Sequence, residues 1–170
     1  MQNVKFENLF TDGYLLHKDD SIDIGYFDQF SFPDCNQEGE MSLDLPEEGF
    51  NRLTAIHKYL AETYVAPVFP DFEIKEHAIW NGVDSGSSRW HNDFEDGDPF
   101  NLTFLIYLDD NTEENGNHLA VRGPAVENTI YPKRGEFICL NQKRIFYHKA
   151  CHKSGMRRIL GFEFFIPALA

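Results

Sequence analysis

Cysteine is scarce: Cys35, Cys139 and Cys151 are the three in 170 residues. Their number is odd, their spacing is wide and no C-x-x-C pair occurs, which argues against a disulfide framework or a structural zinc site and predicts a reducing compartment. No apolar run approaches the roughly eighteen residues that a membrane helix needs. The opening MQNVKFENLFTDGYLLHKDD has neither the basic start nor the apolar centre of a signal peptide. A soluble, cytoplasmic protein is expected. Basic residues are in deficit, with 15 Lys and Arg against 28 Asp and Glu and a net charge of -13. General nucleic-acid binding, which rests on a cationic surface, is therefore disfavoured. Internal repeats and low-complexity segments are absent, and 170 residues with 42% hydrophobic content suit one substantial core, so a single domain over residues 1–170 is expected.

The basic residues that do occur are bunched. Residues 1–130 carry seven basic and 26 acidic side chains, whereas residues 131–170 carry eight basic and two acidic. Such a pattern fits either an acidic surface with one oppositely charged strand pair or a locally positive wall around an anion site.

Residues 1–43 show no lasting period and read as loops with one or two short strands. From DLPEEGFNRLTAIHKYLAETYVAPVFP the texture changes. Phe50, Leu53, Ile56, Leu60 and Tyr64 recur every three or four positions, Pro46 suits a helix start with Glu47 and Glu48 beside it, and Pro67 and Pro70 end the segment. The spacing predicts one amphipathic helix packed on a sheet. Beyond Phe72 the segments FEIKEHAIW, LTFLIYLDD, HLAVR, TIYPKRGEFICL, KRIFYHKA and RRILGFEFFIP are rich in β-branched and aromatic residues and are parted by Gly, Asn, Asp and Pro. A helix followed by an unbroken β run predicts an α+β, mainly β chain: a double antiparallel sheet of jelly-roll type with at least one helix packed on it.

Candidate ligands stand out in WHND, where His91 and Asp93 are two apart and point the same way in extended backbone. The segment HKACHKSGMRRILGFEFF offers a third ligand, with His148 and His152 both eligible. Two histidines and one carboxylate on one face form the triad that holds non-haem iron(II) and leaves positions open for substrate and dioxygen. An arginine on the following strand can clamp a carboxylate with a two-pronged charge-assisted bond, and a tyrosine hydroxyl can complete the pocket.

The order His91, Asp93, Tyr107, His148, Arg157 resembles that of the iron(II) and 2-oxoglutarate-dependent dioxygenases, in their prolyl-hydroxylase-like branch. That family shows H-x-D, a Y-L-[ND] strand end, a G-G-x-L segment, a distal histidine and a G-x-R strand. Here WHND, YLDD, NGNHLAV, His148 and Gly155-Met156-Arg157 stand at those places, over about residues 75–166. In the family the distal histidine lies about nine or ten residues before the arginine; His148 stands nine before Arg157 and His152 only five. NGNHL departs from the family's glycine pair, which leaves the direction of His118 open, and adjacent Arg157 and Arg158 raise a register question.

The resemblance implies a double-stranded β-helix in which His91, Asp93 and His148 bind Fe(II) and carry the catalysis, with Arg157 and Tyr107 binding 2-oxoglutarate. It implies oxidation by O2, with succinate and CO2 as coproducts and ascorbate as a supporting reductant. Retention of Asp93 favours hydroxylation over halogenation. Lys133, Arg134, Lys149, Lys153 and Arg158 are candidates for a positive approach to the dianion. The implied primary substrate is a protein or peptide residue such as proline, or a small metabolite, with Trp80, Trp90, Phe94 and Phe100 as candidate lining. The competing expectation is a non-catalytic, cupin-like metal-binding sensor or binding module, which has no need of a carboxylate clamp.

Overall fold

The computed structural model describes residues 6–32, 45–81, 86–87, 89–93, 101–143, 145–153 and 156–167. Two antiparallel sheets face each other. The larger has strand order β1 (Tyr14–Lys18), β7 (Glu136–Asn141), β4 (Asn101–Tyr107), β9 (Arg158–Phe165) and β2 (Glu73–Asn81); the smaller runs β3 (Gly86–Ser87), β8 (Tyr147–His152), β5 (His118–Arg122) and β6 (Glu127–Ile130). This is a double-stranded β-helix, as the strand texture predicts.

The nearly continuous apolar run in β4 has a direct cause. Alternate residues serve two cores. Leu102, Phe104 and Ile106 join a cluster on the helix side of the large sheet, while Leu105 and Tyr107 join Leu119, Val121 and Ile138 between the sheets. The helix-side layer contains α1 (Glu7–Thr11) and α2 (Glu47–Leu60), the latter running on through a π-helical turn at Ala61–Val65. The buried face of α2 carries Gly49, Leu53, Ile56, His57 and Leu60. Phe50, expected in the buried stripe, is instead 49% exposed in the first turn, and glycine takes the inward place next to it, where a Cβ would lie 3.1 Å from Leu45.

The N-terminal region contributes more than loops. Leu9, Leu15, Ile22, Ile24 and Phe27 enter the same cluster as α2 and the large sheet, and Asn141 secures the junction by donating from Nδ2 to the Leu9 carbonyl at 2.9 Å. The segment TIYPKRGEFICL is two strands, not one: the chain turns at Pro132–Gly135, and Gly135 has φ +79, a conformation that disfavours any side chain. Among the described residues no helix is long and apolar enough to cross a membrane. Cys139 and Cys151 are free thiols, and Cys35 lies outside the described residues.

Candidate metal centre

The site begins with backbone pairing. The His91 N–H donates to the His148 carbonyl at 3.0 Å and the His148 N–H donates back to His91 at 2.7 Å. This is an isolated antiparallel bridge beside the small sheet, and such a reciprocal pair holds two residues directly opposite each other. Their rings stand 4.3 Å apart. Asp93, two residues on, brings its carboxylate to the same place, with Oδ1 3.7 Å from His91 Nε2 and Oδ2 3.6 Å from His148 Nε2. One ligand atom from each residue lies within 4.8 Å of the other two.

The three differ in environment. His148 is buried, whereas the His91 and Asp93 side chains are 44% and 43% exposed. Burial pushes the His148 imidazole down to about 4, aided by the nearby His91 and Arg157 and opposed by Asp93, so at neutral pH His148 keeps a lone pair to give. His91 Nδ1 lies 2.7 Å from the Arg89 carbonyl. With Nδ1–H donating there, Nε2 is the bare nitrogen, the arrangement usual for a ligating histidine. Two imidazoles and a carboxylate, closed on the His148 side and open on the other, fit Fe(II) by donor chemistry.

His152 sits elsewhere. It lies four residues along β8, opposite Gly86, and at the rise of a strand that is roughly 13 Å from His148.

Arg157 and Tyr107 also meet. Arg157 is buried and donates from Nη2 to the Tyr107 hydroxyl at 3.3 Å. Tyr107 at the end of β4 is fully buried; burial raises its pKa and Arg157 opposes the rise, so the phenol keeps its proton. Arg158, the neighbour, faces away. Its guanidinium binds both oxygens of Asp109, with Nη2 to Oδ1 at 2.8 Å, and reaches Asp28 at 3.4 Å.

Among the described residues, Lys133, Arg134, Lys149 and Arg158 are each engaged separately and do not form a common positive wall. Arg134 pairs with Asp28 at 2.6 Å, Lys133 Nζ donates to the Asn111 carbonyl at 2.8 Å, and Lys149 lies 4.8 Å above the Trp90 ring. Trp90 is gripped on the outside of the small sheet by Lys149 and Arg122, an outer-face position and not a cleft lining. Phe94, Phe100 and the Trp80 side chain lie outside the described residues. His118 falls three residues before Val121, which opposes the inward-facing His148, so strand alternation places it on the other face, against Tyr131 at 5.5 Å. In NGNHL a single left-handed glycine, Gly116 with φ +67, makes the turn, and buried Asn117 accepts the Lys153 N–H at 3.0 Å.

One site residue gives no signal in the sequence. Gln142, 1% exposed, accepts the Asp93 N–H on Oε1 at 3.2 Å and donates from Nε2 to Asp93 Oδ2 at 2.9 Å. Glutamine belongs to no motif, and 49 residues separate it from its partner.

The family model of the 2OG-Fe(II) oxygenase superfamily matches residues 78–165. No curated protein sequence matches. Solved structures of similar fold include a Trichoplax adhaerens prolyl hydroxylase in complex with a hypoxia-inducible-factor peptide fragment: TM-score 0.68 and 15% identity, covering 98% of this chain and 89% of that one. A Pseudomonas putida prolyl-4-hydroxylase has TM-score 0.59 and 16% identity, with 94% and 96% covered. HygX from Streptomyces hygroscopicus, with nickel and 2-oxoglutarate bound, has TM-score 0.62 and 15% identity, with 98% and 87% covered.

Proposed function

Because the chain belongs to the 2OG-Fe(II) oxygenase superfamily and is a 2-oxoglutarate-dependent enzyme with Fe(II) and 2-oxoglutarate as cofactors, we propose that it hydroxylates a protein or peptide residue such as proline, with a small metabolite as the second substrate class. We further propose that residues 1–170 act as one oxygenase domain with its motif-bearing core at about 75–166, working in the cytoplasm. The observation that carries the site assignment is the gathering of His91, Asp93 and His148 within 4.8 Å. These three hold Fe(II). When bound, the metal and 2-oxoglutarate supply the oxidation, in which O2 converts 2-oxoglutarate and a substrate C–H into succinate, CO2 and a C–OH.

The remaining work falls to the chain. Arg157 takes the far carboxylate of 2-oxoglutarate in a charge-assisted bond, which the low polarity around it strengthens. Tyr107 accepts from Arg157, so its own retained proton is left to donate to the same carboxylate. His91 is oriented by the Arg89 carbonyl, and burial of His148 keeps its nitrogen unprotonated for the metal. A peptide substrate is supported by the fold likeness to the two prolyl hydroxylases, and a metabolite by a like fold in the alpha-ketoglutarate-dependent epimerase SnoN from nogalamycin biosynthesis.

The test is slow, substrate-independent release of succinate from purified protein with iron(II), 2-oxoglutarate and ascorbate. His91→Ala, Asp93→Ala and His148→Ala each abolish it, and His152→Ala retains most of it. Full turnover in His148→Ala with loss in His152→Ala would overturn the ligand assignment.

A further inference from the structure

We propose that Gln142 is the positioning residue that aims the Asp93 carboxylate at the metal, an inference that rests on the site assignment above. Asp93 stands 43% exposed, where nothing about its own backbone fixes a rotamer. The Gln142 side-chain amide grips it twice: Oε1 holds the Asp93 N–H at 3.2 Å and Nε2 holds Oδ2 at 2.9 Å, so main chain and side chain are tied to one planar group. That group is itself anchored. The second Nε2 proton goes to Thr103 Oγ1 at 3.1 Å, and the Gln142 backbone N–H donates to the Asn101 carbonyl at 3.1 Å, both on β4.

The consequence is geometric. His91 and His148 are referenced to the small sheet through their mutual bridge. Asp93 is referenced through Gln142 to the central strands of the large sheet, so this amide sets the carboxylate against the histidine pair across the gap between the two sheets. Gln142 holds Oδ2, which lies 3.6 Å from His148 Nε2, and with Oδ2 held Oδ1 stands 3.7 Å from His91 Nε2, so the amide fixes how the carboxylate is turned toward the two imidazole nitrogens. Partners that orient ligating carboxylates in this way typically change metal affinity by about ten- to hundredfold.

The experiment titrates Co(II), a spectroscopic stand-in for Fe(II), into the metal-free full chain under anaerobic conditions and follows the visible ligand-field bands. Gln142→Met keeps the length of the side chain and removes both contacts. The expected result is a Co(II) dissociation constant raised about ten- to hundredfold, with bands at saturation that differ from wild type because the Asp93 carboxylate is no longer held in one orientation. Circular dichroism of the metal-free proteins checks folding; if Gln142→Met is unfolded, Gln142→Asn, which keeps an amide too short to reach, takes its place with the same expectation. A dissociation constant within about twofold of wild type and an unchanged spectrum would overturn the inference while leaving the metal site standing. Wild-type protein that takes up no Co(II) would instead overturn the site assignment, and this inference with it.

Discussion

Arg157 and Arg158 stand side by side at the start of the last strand, and a strand sends neighbours to opposite faces. Arg157 turns inward to Tyr107 and Arg158 outward to Asp109 and Asp28, so the two make opposite predictions. Arg157→Ala should raise the 2-oxoglutarate requirement about ten- to hundredfold, the worth of a charge-assisted pair at about 1.5 to 3 kcal/mol, with little change in melting temperature. Arg158→Ala should leave the 2-oxoglutarate requirement nearly as it is and cost about 1 to 3 kcal/mol of stability, since it strands a partly buried Asp109. Titrating 2-oxoglutarate into each variant, alongside urea unfolding, separates the two. The tandem arginines alone could not say which one faces in; the YLDD segment decides it, because Asp109 lies on the outer side and claims Arg158.

At the scale of elements, α2 is fastened to the large sheet by more than its apolar stripe. His57 Nε2 lies 3.0 Å from the Glu163 carbonyl of β9 and donates to it, and the ring stands edge-on to Phe162 and Phe164. Burial lowers the His57 pKa to about 4, with the Glu163 bond opposing and His77 adding to the depression. The sign follows from linkage: the unfolded chain takes up the proton near 6.5 and the native state resists it until about 4, so stability is full above about pH 6.5 and declines as pH falls through that window. Thermal melting from pH 7.5 to 4 should show this decline in wild type and a shallower one in His57→Phe. The sequence periodicity located this helix but assigned the stripe to Phe50, because a 3.6-residue period cannot tell which edge of an amphipathic face reaches the sheet. Likewise TIYPKRGEFICL looked continuous in composition, and only the left-handed Gly135 shows where it folds back.

Over the whole molecule, the contrast between an acidic first part and a basic last part becomes a set of ties between them. Asp28 receives Arg134 and Arg158, and the N-terminal apolar residues seat in the large-sheet cluster beside α2. Phe27 is fully buried there. Phe27→Ala should therefore cost about 3 to 5 kcal/mol, a large share of the roughly 5 to 15 kcal/mol that holds a typical domain, with the loss read from the urea midpoint. Asp28→Ala, whose side chain is 45% exposed, should cost no more than about 1 kcal/mol.

Strand content, the α2 segment and the chemistry of the ligand types were legible in the sequence, because each is carried by local patterns: two-residue alternation, three-to-four-residue recurrence, and side chains whose donor atoms bind metals or carboxylates wherever they stand. Tertiary structure alone decided what depends on pairing between distant segments. It set His91 opposite His148 through two backbone hydrogen bonds, left His152 four residues further along β8, buried Leu9, Leu15, Ile22, Ile24 and Phe27 where no period announced them, and brought Gln142 to Asp93 from 49 positions away. A hydrogen bond depends on the distance and angle between two groups, and for groups so far apart in the chain that distance exists only after the sheets have closed on each other.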